Sequence, residues 1–187
     1  ASDVYKRQIT NERHVIGWVK RDGKWYYYND DETPYTGWLT LDHKTYYLGA
    51  DGVMATGWLL LDGDYYYFSG SGEMQTGWQF ISNNWYYLAK DTGIMYSSGW
   101  HADPETKTMY YFYTWGGAAR NTTLTLNGYR VKFLSWGGIS GSTWLYHDGA
   151  WYYVQKYSCV TNGWYQIDGA WYFMLSLIHI SEPTRLQ

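Results

Sequence analysis

The residues of this sequence best suited to chemistry are aromatic side chains, which make up 22% of the chain and include 13 Trp and 23 Tyr. Tryptophans recur in pairs seven residues apart, as at Trp18 and Trp25 and again at Trp78 and Trp85. The faces of such rings attract weakly hydrated cations, and Trp and Tyr suit surfaces that are half buried and half wet. This pattern favours non-covalent binding over bond-making chemistry.

Side chains that could act as nucleophiles, bases or metal ligands do not recur in an arrangement that favours catalysis. The recurring aspartates stand beside a second turn residue, as in Asp62-Gly63, and turn formation explains them. The histidines are scattered, and the single Cys159, which we place in a loop, excludes an intramolecular disulfide and a Cys-rich metal site. We therefore expect a binding module and not an enzyme, with no catalytic residues, metal or cofactor.

Charge and hydropathy argue against two further classes of protein. A net charge of −3, with 17% charged residues, lacks the basic footprint that nucleic-acid binding needs. No apolar run reaches the ~18 residues of a membrane-spanning helix, so we expect no membrane span. The composition fits a secreted or cell-surface protein.

The aromatic residues belong to a repeat, which is clearest over 57–77. Its first copies begin at Gly-Trp pairs, which fall at 17–18, 37–38, 57–58, 77–78 and 99–100. Each copy predicts a short strand, a two-residue turn such as Asp62-Gly63, and an aromatic second strand such as the one from Tyr65 to Phe68. The period of the repeat is therefore about 20 residues.

The other copies follow this pattern with local changes. Their predicted turns are Asp22-Gly23, Asp42-His43, Asn83-Asn84, Asp148-Gly149 and Asp168-Gly169. The fifth copy has a longer turn at 103–107, and a sixth copy without Gly-Trp aligns over 123–133. A lone hairpin is marginal in water, whereas stacked hairpins share a continuous core. The sequence thus predicts an all-β solenoid of stacked β-hairpins, with a closed or sandwich sheet as the alternative.

Both ends of the chain resemble translated sequencing adapters. The codons GAT-GTG-TAT-AAG-AGA-CAG encode Asp3 to Gln8, and their reverse complement encodes Leu-Ser-Leu-Ile-His-Ile, the sequence from Leu175 to Ile180. We therefore interpret residues 1–8 and 175–187 as adapter-derived and not native. We expect 9–174 to be a repeat array that is truncated at both ends.

The recurring Gly-Trp, Trp-Tyr-Tyr and Gly-x-Met-x-Thr-Gly-Trp elements resemble the choline-binding, or cell-wall-binding, repeat of surface proteins from Gram-positive bacteria and their phages. The resemblance covers essentially all of 9–174, and glucan-binding repeats and clostridial toxin repeats are looser relatives. It implies that the choline of teichoic or lipoteichoic acid binds between consecutive hairpins. A cage of ring faces would attract the quaternary ammonium there.

The family pattern implies cages made of two aromatic residues of one hairpin and a tyrosine of the next. The implied cages are Trp18, Trp25 and Tyr46; Trp58, Tyr65 and Tyr86; Trp78, Trp85 and Tyr110; and Trp144, Trp151 and Tyr172. Met54 and Met74 match a methionine that lies near the cage in the family. Which tyrosine of each Tyr-Tyr pair faces the cage stays open, because successive strand residues face opposite sides.

Substitutions at the wall positions imply that other cages are incomplete. Thr45 and Met109 replace the second aromatic residue of the second and fifth cages. The sixth copy has Thr123 and Arg130 at its two wall positions, and Arg130 would repel a cation. The eighth copy lacks a following hairpin. We therefore expect three or four competent sites.

The resemblance implies a non-catalytic cell-wall targeting module that binds choline through many weak sites, whose combined avidity exceeds the affinity of any one. Two alternatives stay open. The same aromatic residues could stack on glucan or another polysaccharide, or the array could be a toxin-like spacer that binds a host receptor. A parent protein could carry an enzyme domain outside this segment.

Overall fold

The computed structural model describes residues 16–29, 33–103, 105–147, 149–174 and 184–185. Every regular element within these residues is a β-strand. None of them forms a helix that could cross a membrane. The adapter interpretation of 1–8 and of most of 175–187, and the turn predicted at Asp148, lie outside the described residues.

The described residues form eight sheets in succession, each built on a hairpin of two consecutive strands. The hairpins are β1 (Gly17–Arg21) with β2 (Lys24–Tyr28), β3 (Gly37–Leu41) with β4 (Lys44–Leu48), β5 (Gly57–Leu61) with β6 (Asp64–Phe68), β7 (Gly77–Ile81) with β8 (Asn84–Leu88), β9 (Gly99–Ala102) with β10 (Met109–Phe112), β11 (Thr122–Leu126) with β12 (Tyr129–Phe133), β13 (Thr143–His147) with β14 (Ala150–Gln155), and β16 (Gly163–Ile167) with β17 (Ala170–Met174). Two short strands extend the last two sheets, β15 (Ser158–Cys159) beside β14 and β18 (Thr184–Arg185) beside β17. β18 lies in the segment that we interpret as adapter-derived.

The hairpin turns use residues that tolerate a left-handed backbone. Asp62-Gly63 has φ angles of 52° and 96°, and Asp42-His43 has φ angles of 48° and 63°, as a type I′ turn requires. The prediction for the fourth hairpin is wrong by one residue, because positive φ falls on Ser82-Asn83 and Asn84 already belongs to β8. A five-residue first strand ends at Ile81 and leaves only these two residues for the turn.

The chain forms two compact units, Ala1–Gln79 with Tyr87–Met95, and Phe80–Tyr86 with Tyr96–Gln187. In the first unit, the loop after each hairpin bonds to the hairpin before it. The Met54 N–H donates to the Trp25 carbonyl at 2.8 Å, and the Met74 N–H donates to the Thr45 carbonyl at 2.7 Å.

The second unit repeats this stacking bond, since the Ala118 N–H donates to the Trp85 carbonyl at 2.8 Å. Each loop also returns to its own hairpin through a single bridge, as between Phe112 and Ala118 and between Phe133 and Ile139. These contacts confirm the predicted all-β solenoid of stacked hairpins. The spaces between hairpins are therefore positions where side chains of two repeats meet.

Candidate functional site

Neighbouring tyrosines on the aromatic strands have different contacts, as the surroundings of Trp38 show. Tyr47 packs on Trp38 of its own hairpin, with ring centroids 5.1 Å apart. Tyr66 contacts the same Trp38 from the next hairpin, also at 5.1 Å. Tyr66 therefore faces the space between the two hairpins, and Tyr47 supports Trp38 from within its own hairpin.

The first implied cage lines a cleft in the first unit. The cleft has a volume of about 270 Å³ and is lined by Trp18, Trp25, Tyr46, Met54 and Ser71. The rings of Trp18 and Tyr46 lie 5.0 Å apart with 63° between their planes. The structure thus brings together the three residues that the family resemblance groups in the first cage. It adds Ser71, which comes from the loop of the third repeat.

The seventh implied cage has matching ring geometry in the second unit. Trp144 and Tyr172 lie 5.0 Å apart with 66° between their planes. Trp144 and Trp151 lie 6.4 Å apart and are nearly perpendicular, at 86°. Trp151 also packs on Tyr146, its partner across the hairpin, at 5.1 Å. The three grouped residues again meet on facing sides of two successive hairpins.

Of the residues in the third implied cage, Trp58 and Tyr65 belong to the first unit and Tyr86 belongs to the second. In the first unit, Trp58 and Tyr65 lie 6.4 Å apart at 86°, the same values as for Trp144 and Trp151. Tyr65 therefore takes the place of the second tryptophan without changing the arrangement of the two rings. In the second unit, Tyr86 contacts Trp115 at 6.1 Å, and burial raises the pKa of its phenol.

The residues of the fourth implied cage also belong to different units. Trp78, in the first unit, packs on Tyr87 at 5.2 Å. In the second unit, Trp85 packs on Phe80 at 5.1 Å. Tyr110, also in the second unit, contacts Trp136 at 6.3 Å, and burial is the largest cause that raises the pKa of its phenol.

The second repeat keeps one aromatic wall and has a polar group in place of the other. Trp38 is 42% exposed and retains its contact with Tyr66. Thr45 lies where the second aromatic residue would stand, with its hydroxyl 3.5 Å from that of Thr40. Nearby, Lys44 donates to Glu73 of the next repeat at 2.5 Å, and this hydrogen bond raises the pKa of Lys44. Thr45 therefore supplies no second aromatic wall at this position.

The equivalent space of the fifth repeat is filled by core side chains. Trp100 is 5% exposed and belongs to the buried core of the second unit together with Met109, Val131 and Ile139. By strand register, Val131 stands where other repeats carry the first tyrosine. Aliphatic side chains thus occupy the volume that a ligand would need, and the tryptophan has become a core residue.

The structure adds two tryptophans to the surroundings of the wall tyrosines and corrects the position of Cys159. Trp115 and Trp136 lie beside wall tyrosines Tyr86 and Tyr110, and the signal that could have found them is the Trp-Gly-Gly motif at 115–117 and 136–138. Cys159 lies in strand β15 and not in a loop, which corrects the prediction. Its thiol is buried, and this burial raises its pKa to about 12.

The described residues contain no group of three or more His, Cys, Asp or Glu side chains that could hold a metal ion. Contacts between aromatic rings recur in the spaces between hairpins. The faces of such rings can hold a cation or a flat apolar surface.

Two families of repeats among known proteins match parts of this chain. The choline-binding repeat matches residues 35–74 and 60–100, and the cell wall binding repeat matches 16–33 and 162–176. No curated protein matches the chain.

Three solved structures from Streptococcus pneumoniae are similar to the chain. Choline binding protein F is 29% identical with a TM-score of 0.62, over 83% of this chain and 54% of its own. CbpJ of strain TIGR4 is 28% identical with a TM-score of 0.62, over 87% of this chain and 64% of its own. The choline-binding domain of CbpL is 29% identical with a TM-score of 0.52, over 86% and 84%. The chain spans less than two thirds of the length of the first two proteins. From the two family matches together, we conclude that the chain belongs to the choline-binding, or cell-wall-binding, repeat family.

Proposed function

We propose that this chain is a choline-binding module in which the quaternary ammonium group lies between successive hairpins. The observation that carries the proposal is the cleft lined by Trp18, Trp25, Tyr46, Met54 and Ser71. A ring face contributes about 2 kcal/mol to holding a cation when the contact is desolvated. The seventh repeat supplies a second set of walls, Trp144, Trp151 and Tyr172, in which Trp144 and Tyr172 have the same ring spacing as Trp18 and Tyr46.

The lining of the first cleft favours a quaternary over a primary ammonium. Its side chains include no carboxylate, and their only oxygen atoms are the hydroxyls of Tyr46 and Ser71. A primary ammonium has three N–H donors that need acceptors when water is removed, whereas a quaternary ammonium has none. The cleft therefore suits choline better than ethanolamine.

The function that we propose for the module is non-catalytic attachment to a cell wall that carries choline on teichoic or lipoteichoic acid, with the protein secreted or at the cell surface. Several weak sites on one chain give high avidity for a polymer that displays many choline groups. Membership in a repeat family whose solved relatives include choline binding protein F supports this proposal.

Calorimetric titration with choline and, separately, with ethanolamine tests the proposal. We expect heat of binding at millimolar choline, a rise in the thermal midpoint with choline concentration, and little response to ethanolamine. Absence of both heat and stabilisation with choline would contradict choline binding.

A polysaccharide ligand is the second candidate, because Trp164 and Trp171 each leave 48% of their surface exposed for stacking. Retention on a glucan resin but not on a choline resin would favour this candidate. Retention on neither would favour a spacer that binds a host receptor.

A further inference from the structure

Two tryptophans of the second unit lie at equivalent loop positions outside the predicted cages. Trp115 contacts Tyr86 at 6.1 Å, and Trp136 contacts Tyr110 at 6.3 Å, with 75° between the ring planes in both pairs. Their exposed fractions are 51% and 49%. The same arrangement in two successive loops indicates a recurring feature of these repeats.

The loop position that they share borders a cleft in the first unit. In each loop, this position directly precedes a glycine whose N–H donates back to a carbonyl three residues earlier. The three bonds run from Gly72 to Ser69, from Gly116 to Tyr113 and from Gly137 to Leu134. Ser71 is therefore the counterpart of Trp115 and Trp136, and Ser71 lines the first cleft beside Tyr46. The second unit places an indole where the first places a small hydroxyl.

Glycine is required beneath each indole. A Cβ atom at Gly117 would collide with the ring of Trp115, and one at Gly138 would collide with the ring of Trp136. Trp115 is further held by a nearly parallel stack on Tyr113, at 10° and 5.4 Å. Each ring is thus fixed against its own loop with about half of its surface exposed. A surface fixed in this way loses little conformational freedom when it binds a ligand.

We propose that Trp115 and Trp136 stack against the sugar of a choline-bearing glycan, next to the tyrosines that would face its choline group. The inference rests on the proposed function and adds a saccharide contact to it. The ring contacts that position the two indoles are all with tyrosines, namely Tyr86 and Tyr113 for Trp115, and Tyr110 and Tyr157 for Trp136. The apolar C–H face of a sugar ring matches such a flat aromatic surface.

Titration of the full chain with two probes, phosphocholine and a disaccharide that carries phosphocholine, tests this inference. We expect the wild-type protein to bind the disaccharide about tenfold more tightly, since covering one ring with a sugar buries roughly 50 Å² of apolar surface. The double variant Trp115→Ala/Trp136→Ala should lose this preference, because its affinity for the disaccharide should fall more than its affinity for phosphocholine. Trp115→Phe/Trp136→Phe, which restores a flat ring, should recover most of the preference.

Each other outcome has a distinct meaning. Equal affinity of the wild-type protein for the two probes, or a preference that survives in the alanine variant, overturns the inference and leaves choline binding intact. Loss of phosphocholine binding in an alanine variant with an unchanged thermal midpoint also overturns it, because the indoles would then be walls of the choline site. Failure of the wild-type protein to bind phosphocholine refutes the proposed function itself.

Discussion

The rings of Trp18 and Tyr46, on successive hairpins, meet 5.0 Å apart with 63° between their planes. Trp144 and Tyr172 repeat this contact in the second unit at 5.0 Å and 66°. The contact joins hairpins whose other residues differ, so it is a property of the repeat. Differences between sites must therefore arise at the positions around this pair.

Trp25→Ala should remove one wall of the first cleft and lower its affinity for choline about tenfold or more, because a cation–π contact is lost. Trp25 is 40% exposed, so the thermal midpoint without ligand should change little. Calorimetry should show one fewer binding site per chain at choline concentrations that fill the wild-type sites.

The matched control is Trp171→Ala. Trp171 lies opposite Gln166 in its hairpin, just as Trp25 lies opposite Lys20 in the first hairpin, so the two tryptophans are equivalent. Trp171 is 48% exposed. No described hairpin follows β17, so this variant should keep the wild-type number of sites. If both variants lose the same number of choline sites, the assignment of Trp25 to a complete cage is contradicted.

Thr45→Trp should create an additional choline site in the second repeat. Trp38 and Tyr66 already lie 5.1 Å apart there, and the missing element is the second aromatic wall. We expect calorimetry to show one more site per chain. If the Thr45→Trp protein folds but binds no additional choline, a second aromatic wall is not sufficient to make a site in the second repeat.

The same substitution at the equivalent position of the fifth repeat should have a different result. Met109 is 2% exposed and packed in the core with Trp100, so Met109→Trp inserts a larger ring where no space is available. We expect no new site and a loss of about 1–3 kcal/mol in the free energy of unfolding, measured by denaturant titration.

Lys20→Leu should raise the choline affinity of the first cleft about twofold to threefold at low salt. The Lys20 ammonium lies 5.7 Å from the ring centroid of Trp25, where it repels a second cation. The difference should diminish in high salt, because Lys20 is exposed and its charge is screened. Lys24→Leu is the control, since Lys24 is adjacent to Trp25 on the strand and faces the opposite side. Equal gains in both variants would indicate an effect of net charge alone.

The buried thiol of Cys159 should make the stability of the protein depend on alkaline pH. Burial raises its pKa from 9.0 to about 12, so the unfolded thiol ionises first as pH rises. The free energy of unfolding should therefore fall between about pH 9 and pH 12, by about 2 kcal/mol at pH 10.5. Denaturant titration at pH 8 and pH 10.5 measures this loss. Cys159→Ala should lose less over the same interval, and parallel pH profiles would contradict the prediction.

The hairpins could be predicted from local chemistry, because each one needs only a short strand, two turn residues and an aromatic strand. Asp62-Gly63 illustrates this, since both residues adopt the positive φ that their types favour. The fourth turn was misplaced because Asn84 suits a turn as well as Ser82 does. Strand length, and not residue preference, decides which residues form that turn.

The contents of the spaces between hairpins could be predicted only in part. The grouping of Trp18, Trp25 and Tyr46 followed from the family pattern. The filled fifth space depends on Val131 and Ile139, which come from a later repeat and have no local signal near Trp100. The sequence predicts a loop at Cys159, whereas Cys159 lies in β15. The turn before β15 has no sequence signal, because Tyr157, a bulky residue, adopts a φ of 78° there.

The filled space around Trp100 shows that the interfaces between hairpins can be stabilised in different ways along one array. Between the fifth and sixth hairpins the protein supplies its own filling, so the contact there does not depend on the surroundings. A cleft such as the one beside Trp18 gains stability in proportion to the logarithm of ligand concentration once its ligand is abundant. Each interface between successive hairpins can thus be stabilised either by buried side chains or by bound ligand. An interface of the second kind becomes more stable only where the ligand is present.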